Sequence, residues 1–491
     1  MVECISRHGK HSEYTFSTYR AVSMIIQEQK GAELTGFDHS SAKRCSSSFA
    51  ELPSLVDEEG EDAQPVFPRR IHILGLGGIG SLVAHSLKSL PDPPPVTLIY
   101  HRERAYDDWQ TSSQEIKVTT NGMTVARSGF DAELQRTGFR RHGKTISAEE
   151  FFYSNARSPD YKEFDAMERP DEPDDFALPE RDITEPIDCL IVTVKAPKTA
   201  GALLAVRKRL GPRSTILFLQ NGVGIIDDVD EQVFPDPASR PQYMVGIVTH
   251  AVNTPQQTQN KKAFGVIHAG KGSIFIGLPC ARETSSSSSS SDPYALSPAS
   301  DYLLRTVCRS PILSASPLSP IELLQAQLEK LATNAIINPL TVLIDARNGA
   351  LLYNYALSRV ARLLLAEISL VLRTLPELQN IPNVSTRFST ERLETKVVAL
   401  STATASNISS MLADVRHGRR TEIDYVTGYI VKRGEELGIS CFMNYLIMQI
   451  VKGKQQVIDK ERQDDLPFPD SEGSKPPPYP IGDERNKSQN S

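Results

Sequence analysis

The stretch RRIHILGLGGIGSLVAHSLKSL, residues 69–90, decides the fold. A short apolar run, IHIL, leads into glycines at Gly75, Gly77 and Gly80, and an apolar helical pattern follows. This is G-x-G-x-x-G between a strand and a helix. The first glycine permits a tight turn, the second lets backbone approach a pyrophosphate, and the third lets helix and strand pack closely. The uncapped N–H groups of the following helix then face the phosphates with a partial positive charge. The loop from Gly75 to Gly80, with Leu76, Gly78 and Ile79, is therefore the candidate dinucleotide cradle. A glycine turn used only for packing is the alternative.

Reading outward, VTLIYH (96–101) is a second strand. NAD-binding chains place an acid about 20 residues past the glycines, to hold the ribose hydroxyls. Here the strand ends in His101, Arg102 and Arg104, with Glu103 the only acid nearby. Cations at that point suit a 2′-phosphate, so NADPH is the expected cofactor; a solvated charged loop is the alternative. CLIVTVKAPKT (189–199) and STILFLQNGVG (214–224) are further strand-length runs, and YMVGIVTHAV (243–252) and GSIFIGL (272–278) add two near the sheet edge. Strands alternating with helical segments predict a doubly wound, mostly parallel α/β sheet of Rossmann type. Ligands of such sheets sit beyond the carboxyl ends of the strands. Lys195, Gln220 and Asn221 fall there, although Asn221 before glycine also fits a plain turn.

The second half reads differently. In KLATNAIINPLTVLIDARNG (330–349), Lys330, Asn334 and Asn338 recur every four residues among buried-type side chains. A polar stripe costs free energy to bury unless something pairs with it, so the residues alone leave open what the stripe faces. Pro339 disfavours helical dihedrals at the residue before it, which predicts a kink or helix end at Asn338. In SNISSMLADVRHGRRTEIDYVTGYIVKRGEELGI (406–439), Thr421 with Asp424 fits an N-terminal capping pattern, and Gly438 fits a stop. Ser409 and Ser410 are candidate caps of the preceding helix, and Glu422 a first-turn acid.

The 491 residues suffice for two or three domains at roughly 150 each. Residues 1–68 read as a poorly ordered extension with one helix near TYRAVSMIIQEQK, and 69–283 as the dinucleotide domain with a charged, proline-rich insertion at 139–186. A Ser-rich linker region is assigned to 284–317, an all-helical domain to 318–455, and a disordered tail to 456–491. The net charge of −6 and the lack of a basic run argue against a nucleic-acid surface. Six scattered cysteines show no Cys-x-x-Cys pair, so neither a metal site nor a disulfide framework is expected. No apolar run has the roughly 18–20 residues that span a bilayer. Glu3, Glu13, Glu28 and Glu33 dilute any mitochondrial presequence, so a cytoplasmic location is expected, with a mitochondrial one as the alternative.

The set GLGGIG, VTVKAPKT, LQNGVG, KLATNAIINPLT and NISSMLADVRHGRRTEIDYVTGYI closely resembles the ketopantoate reductase family, over roughly residues 70–280 and 318–455. The resemblance implies a Rossmann domain, an all-α C-terminal domain and an active site in the cleft between them. It implies NADPH-dependent reduction of 2-dehydropantoate to pantoate, on the route to pantothenate and coenzyme A. By the same resemblance Lys330 and Glu422 are catalytic, Asn334, Asn338, Ser410 and Asn221 bind substrate, and Lys195, Asn221 and Arg102 meet the cofactor. Reduction of another 2-keto acid, or a non-catalytic regulatory role, are the rival readings. The expected partner is a small-molecule 2-keto acid, with neither nucleic acid nor membrane, and the helical domain is a candidate for pairing into a homodimer.

Overall fold

The computed structural model describes residues 69–135, 138–141, 144–147, 185–254, 264–280 and 294–464. The extension, most of the insertion, the serine run and the end of the tail lie outside the described residues. The first elements are β1 (Ile71–Leu74), α1 (Gly78–Leu87), β2 (Val96–Tyr100) and α2 (Glu103–Gln110). Strands β3 (Ile116–Thr120), β4 (Met123–Arg127), β5 (Asp131–Leu134), β6 (Gly138–Arg141) and β7 (Lys144–Ser147) follow. Next come β8 (Cys189–Val192), α3 (Thr199–Val206), β9 (Thr215–Phe218), α4 (Ile225–Gln232) and β10 (Gln242–Val248). The half closes with β11 (Ala251–Asn253), β12 (Gly265–Gly270), β13 (Ile274–Gly277), α5 (Pro298–Cys308) and β14 (Ala315–Pro317).

Eight strands form one sheet in the order β14-β13-β10-β9-β8-β1-β2-β5, parallel throughout except for β10 with β13. Every residue of β1, β2, β8 and β9 is buried, as expected of a parallel sheet covered on both faces. A smaller sheet, β11-β12-β3-β4, packs beside α1. Two boundaries differ from those read in the sequence. Residues 298–317, assigned to the linker, carry α5 and the edge strand β14, because their apolar residues (Ala299, Leu303, Val307, Leu313) join the core of the sheet domain.

The helical half comprises α6 (Pro320–Ile344), α7 (Tyr355–Thr374), α8 (Val384–Arg387), α9 (Thr390–Ala403), α10 (Ser410–Arg416), α11 (Ile423–Glu436) and α12 (Phe442–Asp464). The second corrected boundary is the tail, since α12 continues past 456 to Asp464. Helix α6 opens with a capping box, Ser319 and Glu322 satisfying each other's backbone N–H groups. It runs through the middle of the domain and packs on α7, α9, α10, α11 and α12. Leu328, Leu331, Ala335 and Ile336 of α6 meet Leu364, Ile368, Val426 and Ile430 in one core.

The helix end expected at Asn338 is not found: α6 continues through Pro339 to Ile344. Buried side chains on both sides of the proline (Ile336, Ile337, Leu340, Val342) hold the helix together across the lost N–H bond.

The glycine turn shows why side chains are excluded there. Gly75 has φ +104°, and a Cβ on Gly80 would lie 2.0 Å from the Gly75 carbonyl oxygen. A Cβ on Gly77 would meet nothing within 4 Å. Gly80→Ala is therefore expected to destabilise the protein by about 1–3 kcal/mol, the range of core overpacking, while Gly77→Ala is nearly neutral. Denaturant midpoints of the two variants check this; equal midpoints would contradict the packing.

Candidate active site

The site is assembled where α6 passes the carboxyl ends of β9 and β10. Lys330 projects from α6, and its Nζ donates to Asn221 Oδ1 at 2.8 Å and to the Val248 carbonyl at 2.7 Å. Asn221 stands on the turn after β9, held by Gly222 at φ +92°. A Cβ on Gly222 would come within 2.6 Å of the Tyr425 Cβ, so this glycine lets α11 approach the turn. Val223 N–H donates to the Tyr425 carbonyl at 2.9 Å, fixing the approach.

Behind Asn221 lies Glu422, which is buried. Its Oε1 accepts from Ala196 N at 3.2 Å, and its Oε2 faces Asn221 Nδ2 at 3.5 Å and Lys195 Nζ at 3.7 Å. The Lys195 ammonium also donates to Asp414 Oδ2 at 2.8 Å, and Asp414 Oδ1 accepts from Arg419 Nε at 3.0 Å. Polar groups from both halves of the chain thus form one connected line: Lys330, Asn221, Glu422, Lys195, Asp414, Arg419.

Burial drives the Lys330 pKa down from its ordinary 10.5 to about 8, and the Glu422 carboxylate opposes the fall. The residue as a whole is half-buried; its amino group is the enclosed part. For Lys195 burial again disfavours the charge, but Glu422 and Asp414 together outweigh it and raise its pKa. Lys195 is held firmly cationic, while Lys330 loses its proton at a much lower pH than an ordinary lysine.

Asn334 and Lys330 border a cavity of about 20 Å³ with Asn221, Gln220 and Gly246, room for about one water. Asn338, one turn further along α6, is buried. Thr341 Oγ1 bonds the Asn338 carbonyl at 2.9 Å and Ser409 Oγ at 2.7 Å, tying this turn to the start of α10. Ser409 is the N-cap, accepting from Leu412 N at 3.1 Å, which leaves Ser410 exposed in the first turn. Neither Asn338 nor Ser410 is hydrogen-bonded to the Lys330–Asn221–Glu422 group.

The capping expected of Thr421 with Asp424 does not occur. Helix α11 starts at Ile423 with Glu422 as N-cap residue and no side-chain cap. The Thr421 N–H goes to Gln455 Oε1 at 3.3 Å, and Asp424 pairs with Lys452 and, at 3.8 Å, Arg420. Gly438, at φ +69°, does end the helix as expected.

On the sheet side Gly77 is the N-cap of α1 without a side-chain cap, so the first N–H groups of α1 are open toward the space that Gly77 faces. That arrangement fits a dinucleotide pyrophosphate. Arg102 is exposed at the N-cap of α2, just past β2. Sequence reasoning missed Asp414, although its position four after Ser410 puts both on one helical face. It also missed the Val248 carbonyl, which no side-chain pattern can reveal.

Residues 71–279 match the family model described as ketopantoate reductase PanE/ApbA, and residues 322–455 match ketopantoate reductase PanE/ApbA C terminal. A probable 2-dehydropantoate 2-reductase of Schizosaccharomyces pombe is 26% identical over 393 residues, covering 78% of this chain and 96% of that protein. A ketoisovalerate reductase of Beauveria bassiana is 26% identical over 418 residues, covering 77% of this chain and 80% of that protein. Among solved structures, the ternary structure of D-mandelate dehydrogenase with NADH and anilino(oxo)acetate superposes with a TM-score of 0.54 at 17% identity, over 79% of this chain and 99% of that one.

The Lys330 environment has a consequence for stability. Its folded pKa of about 8 lies below the unfolded 10.5, so the unfolded chain binds the extra proton between those values. Stability then rises with pH across that window and is insensitive to this group below it. In Lys330→Met this rise is expected to vanish. Urea midpoints of both proteins from neutral pH to above 10 measure it, and parallel curves would contradict an enclosed ammonium.

Proposed function

The chain belongs to the ketopantoate reductase family, and from that premise we propose that it reduces 2-dehydropantoate to pantoate with NADPH, supplying pantothenate and coenzyme A synthesis. The observation that carries this reading is the Lys330 ammonium, reaching from the helical half to the strand ends of the sheet half. A bound nicotinamide cofactor would supply the hydride. Gly75, Leu76, Gly77, Gly78, Ile79 and Gly80 would hold the pyrophosphate, with Arg102 at the 2′-phosphate and Lys195 and Asn221 near the ring.

During the reaction negative charge grows on the substrate carbonyl oxygen. A preorganised cation there favours the transition state over the ground state. Lys330 fills this role and gives its proton to the oxygen as general acid. A pKa of about 8 serves both duties, since the group is charged at neutral pH yet a ready donor. Glu422 keeps the ammonium protonated in a site where burial alone discharges it further. Asn334, Asn338 and Ser410 would hydrogen-bond the substrate carboxylate and hydroxyl. We place the reaction in the cytoplasm.

A second reading keeps the chemistry and changes the acid. The relative named ketoisovalerate reductase is as similar as the one named 2-dehydropantoate 2-reductase, and 2-ketoisovalerate lacks only the hydroxymethyl extension. A site that hydrogen-bonds a hydroxyl rejects the analogue without it by large factors, on the order of 10⁴. Following NADPH and NADH absorbance with both keto acids decides among the readings. A preference for ketopantoate with NADPH is expected; a preference for 2-ketoisovalerate selects the second reading, and no oxidation with any 2-keto acid selects a non-catalytic relative.

Two variants test the roles. Lys330→Ala should lower turnover by about 10²–10⁴, the usual range for a general acid, with NADPH binding kept; near-normal turnover would remove Lys330 from the chemistry. Glu422→Gln should move the basic limb of the pH–rate profile to lower pH, because the carboxylate that raises the Lys330 pKa is gone. An unmoved limb would break the coupling.

A further inference from the structure

Two histidines outside the charged line are buried and face each other at bonding distance. His250, just past β10, is 7% exposed, and His268 of β12 is 4% exposed. His250 Nδ1 lies 3.0 Å from His268 Nε2 and accepts the Gly272 N–H at 3.0 Å. A backbone N–H can only donate, so this Nδ1 carries no proton. The proton sits on His250 Nε2, which donates to the Leu313 carbonyl at 2.9 Å. His268 therefore donates from its own Nε2. Burial lowers the pKa of both rings, that of His268 to about 4, with His250 and Lys271 adding to the fall. Both are neutral in the range where Lys330 titrates.

Each ring is tied to a different part of the site. Gly272 and Ser273 form the turn between β12 and β13. Ser273 accepts the Thr249 N–H at 2.9 Å, and in a trans peptide the carbonyl of the same unit points the opposite way. That carbonyl belongs to Val248 and takes the Lys330 ammonium at 2.7 Å. Strand β9 stops at Phe218, opposite Val245, so Val248 lies beyond its end. Ser273 N–H donates back to Thr249 Oγ1 at 2.7 Å. A Cβ on Gly272 would come within 2.6 Å of the His250 nitrogen, so the turn closes only with glycine there. On the other side His268 pairs in register with Val252 of β11. Val252 Cγ1 would lie 3.2 Å from a Cβ on Gly78, at the start of α1.

We propose that His250 and His268 are positioning residues whose bond sets the corner between β10 and β11, and with it the spacing between the Lys330 ammonium and the dinucleotide loop. His250 holds the Gly272–Ser273 turn, and that turn aims the Val248 peptide. His268 carries the constraint across to Val252 and Gly78. One short segment, residues 248–252, thereby reaches both the proton donor and the cofactor cradle. The inference rests on the reading of Lys330 as proton donor and of the glycine loop as dinucleotide site.

The test compares His250→Leu, which removes the acceptor, with His250→Asn, whose side-chain oxygen replaces Nδ1. Lys330 is followed by nuclear magnetic resonance of its ε-carbon. An acceptor carbonyl favours the charged lysine. His250→Leu should therefore lower the Lys330 midpoint by about one pH unit, the scale of one hydrogen bond to a charged group, and His250→Asn should restore most of it. In turnover His250→Leu should lower kcat ~10–100-fold, as small misplacements of a catalytic group do, and raise KM for the dinucleotide more than KM for the keto acid. A loss of thermal stability with midpoint and kcat unmoved would overturn the inference. So would a midpoint that falls equally in both variants. Should His250→Leu fail to fold, His268→Phe keeps the ring and removes the donor. A lower Lys330 midpoint and a higher dinucleotide KM are then expected, and either one unchanged contradicts the positioning. Absence of NADPH oxidation by the unmodified protein would sink the reductase reading, while the Lys330 midpoints would still judge the histidine pair.

Discussion

A positive charge enclosed between two domains is the constraint on which this molecule turns. The Lys330 ammonium is taken out of water by the meeting of α6 with the ends of β9 and β10, and it is compensated by a carbonyl, an amide oxygen and a nearby carboxylate. An uncompensated buried charge costs several kcal/mol, so each partner must be in place for the domains to close as they do. The compensation comes from both halves: Asn221 and the Val248 carbonyl from the sheet, Glu422 from the start of α11. Neither half alone holds the charge.

The scaffold explains how these groups stay in place. Asn221 rides on a turn whose glycine touches Tyr425, and Tyr425 in turn donates its hydroxyl to Asp228 at 2.6 Å. Glu422 is locked by the Ala196 N–H and by Lys195, whose other partner Asp414 is anchored by Arg419. The site is thus a line of charged and polar groups crossing the domain boundary four times. Such a line fixes orientation, and it keeps Lys195 charged while Lys330 is held near its turning point.

Much of this was legible in the residues. Continuous apolar runs marked β1, β2, β8 and β9, because strands buried on both faces leave no room for polar alternation. The four-residue recurrence of Lys330, Asn334 and Asn338 drew attention to α6, where Lys330 and Asn334 border the small cavity and Asn338 is buried. The smaller sheet was not legible: β4 exposes four of its five residues, and β3 pairs in parallel with β12, which lies far along the chain. Pro339 misled as a sign of a helix end, since local dihedral preference lost to the packing of a buried helix on both sides. Asp414 went unread because its meaning depends on Lys195, more than two hundred positions earlier. The exposed face of α12 was hidden as well, since an apolar residue at helical spacing looks the same whether it faces a core or solvent.

The most direct measurement is the titration of Lys330 itself, followed by nuclear magnetic resonance of its side-chain ε-carbon in the unmodified protein and in Glu422→Gln. The account predicts a midpoint near 8 that moves lower when the carboxylate is neutralised. A midpoint at the ordinary 10.5, or one indifferent to Glu422, would mean that the ammonium lies in water and that the two domains do not meet around it.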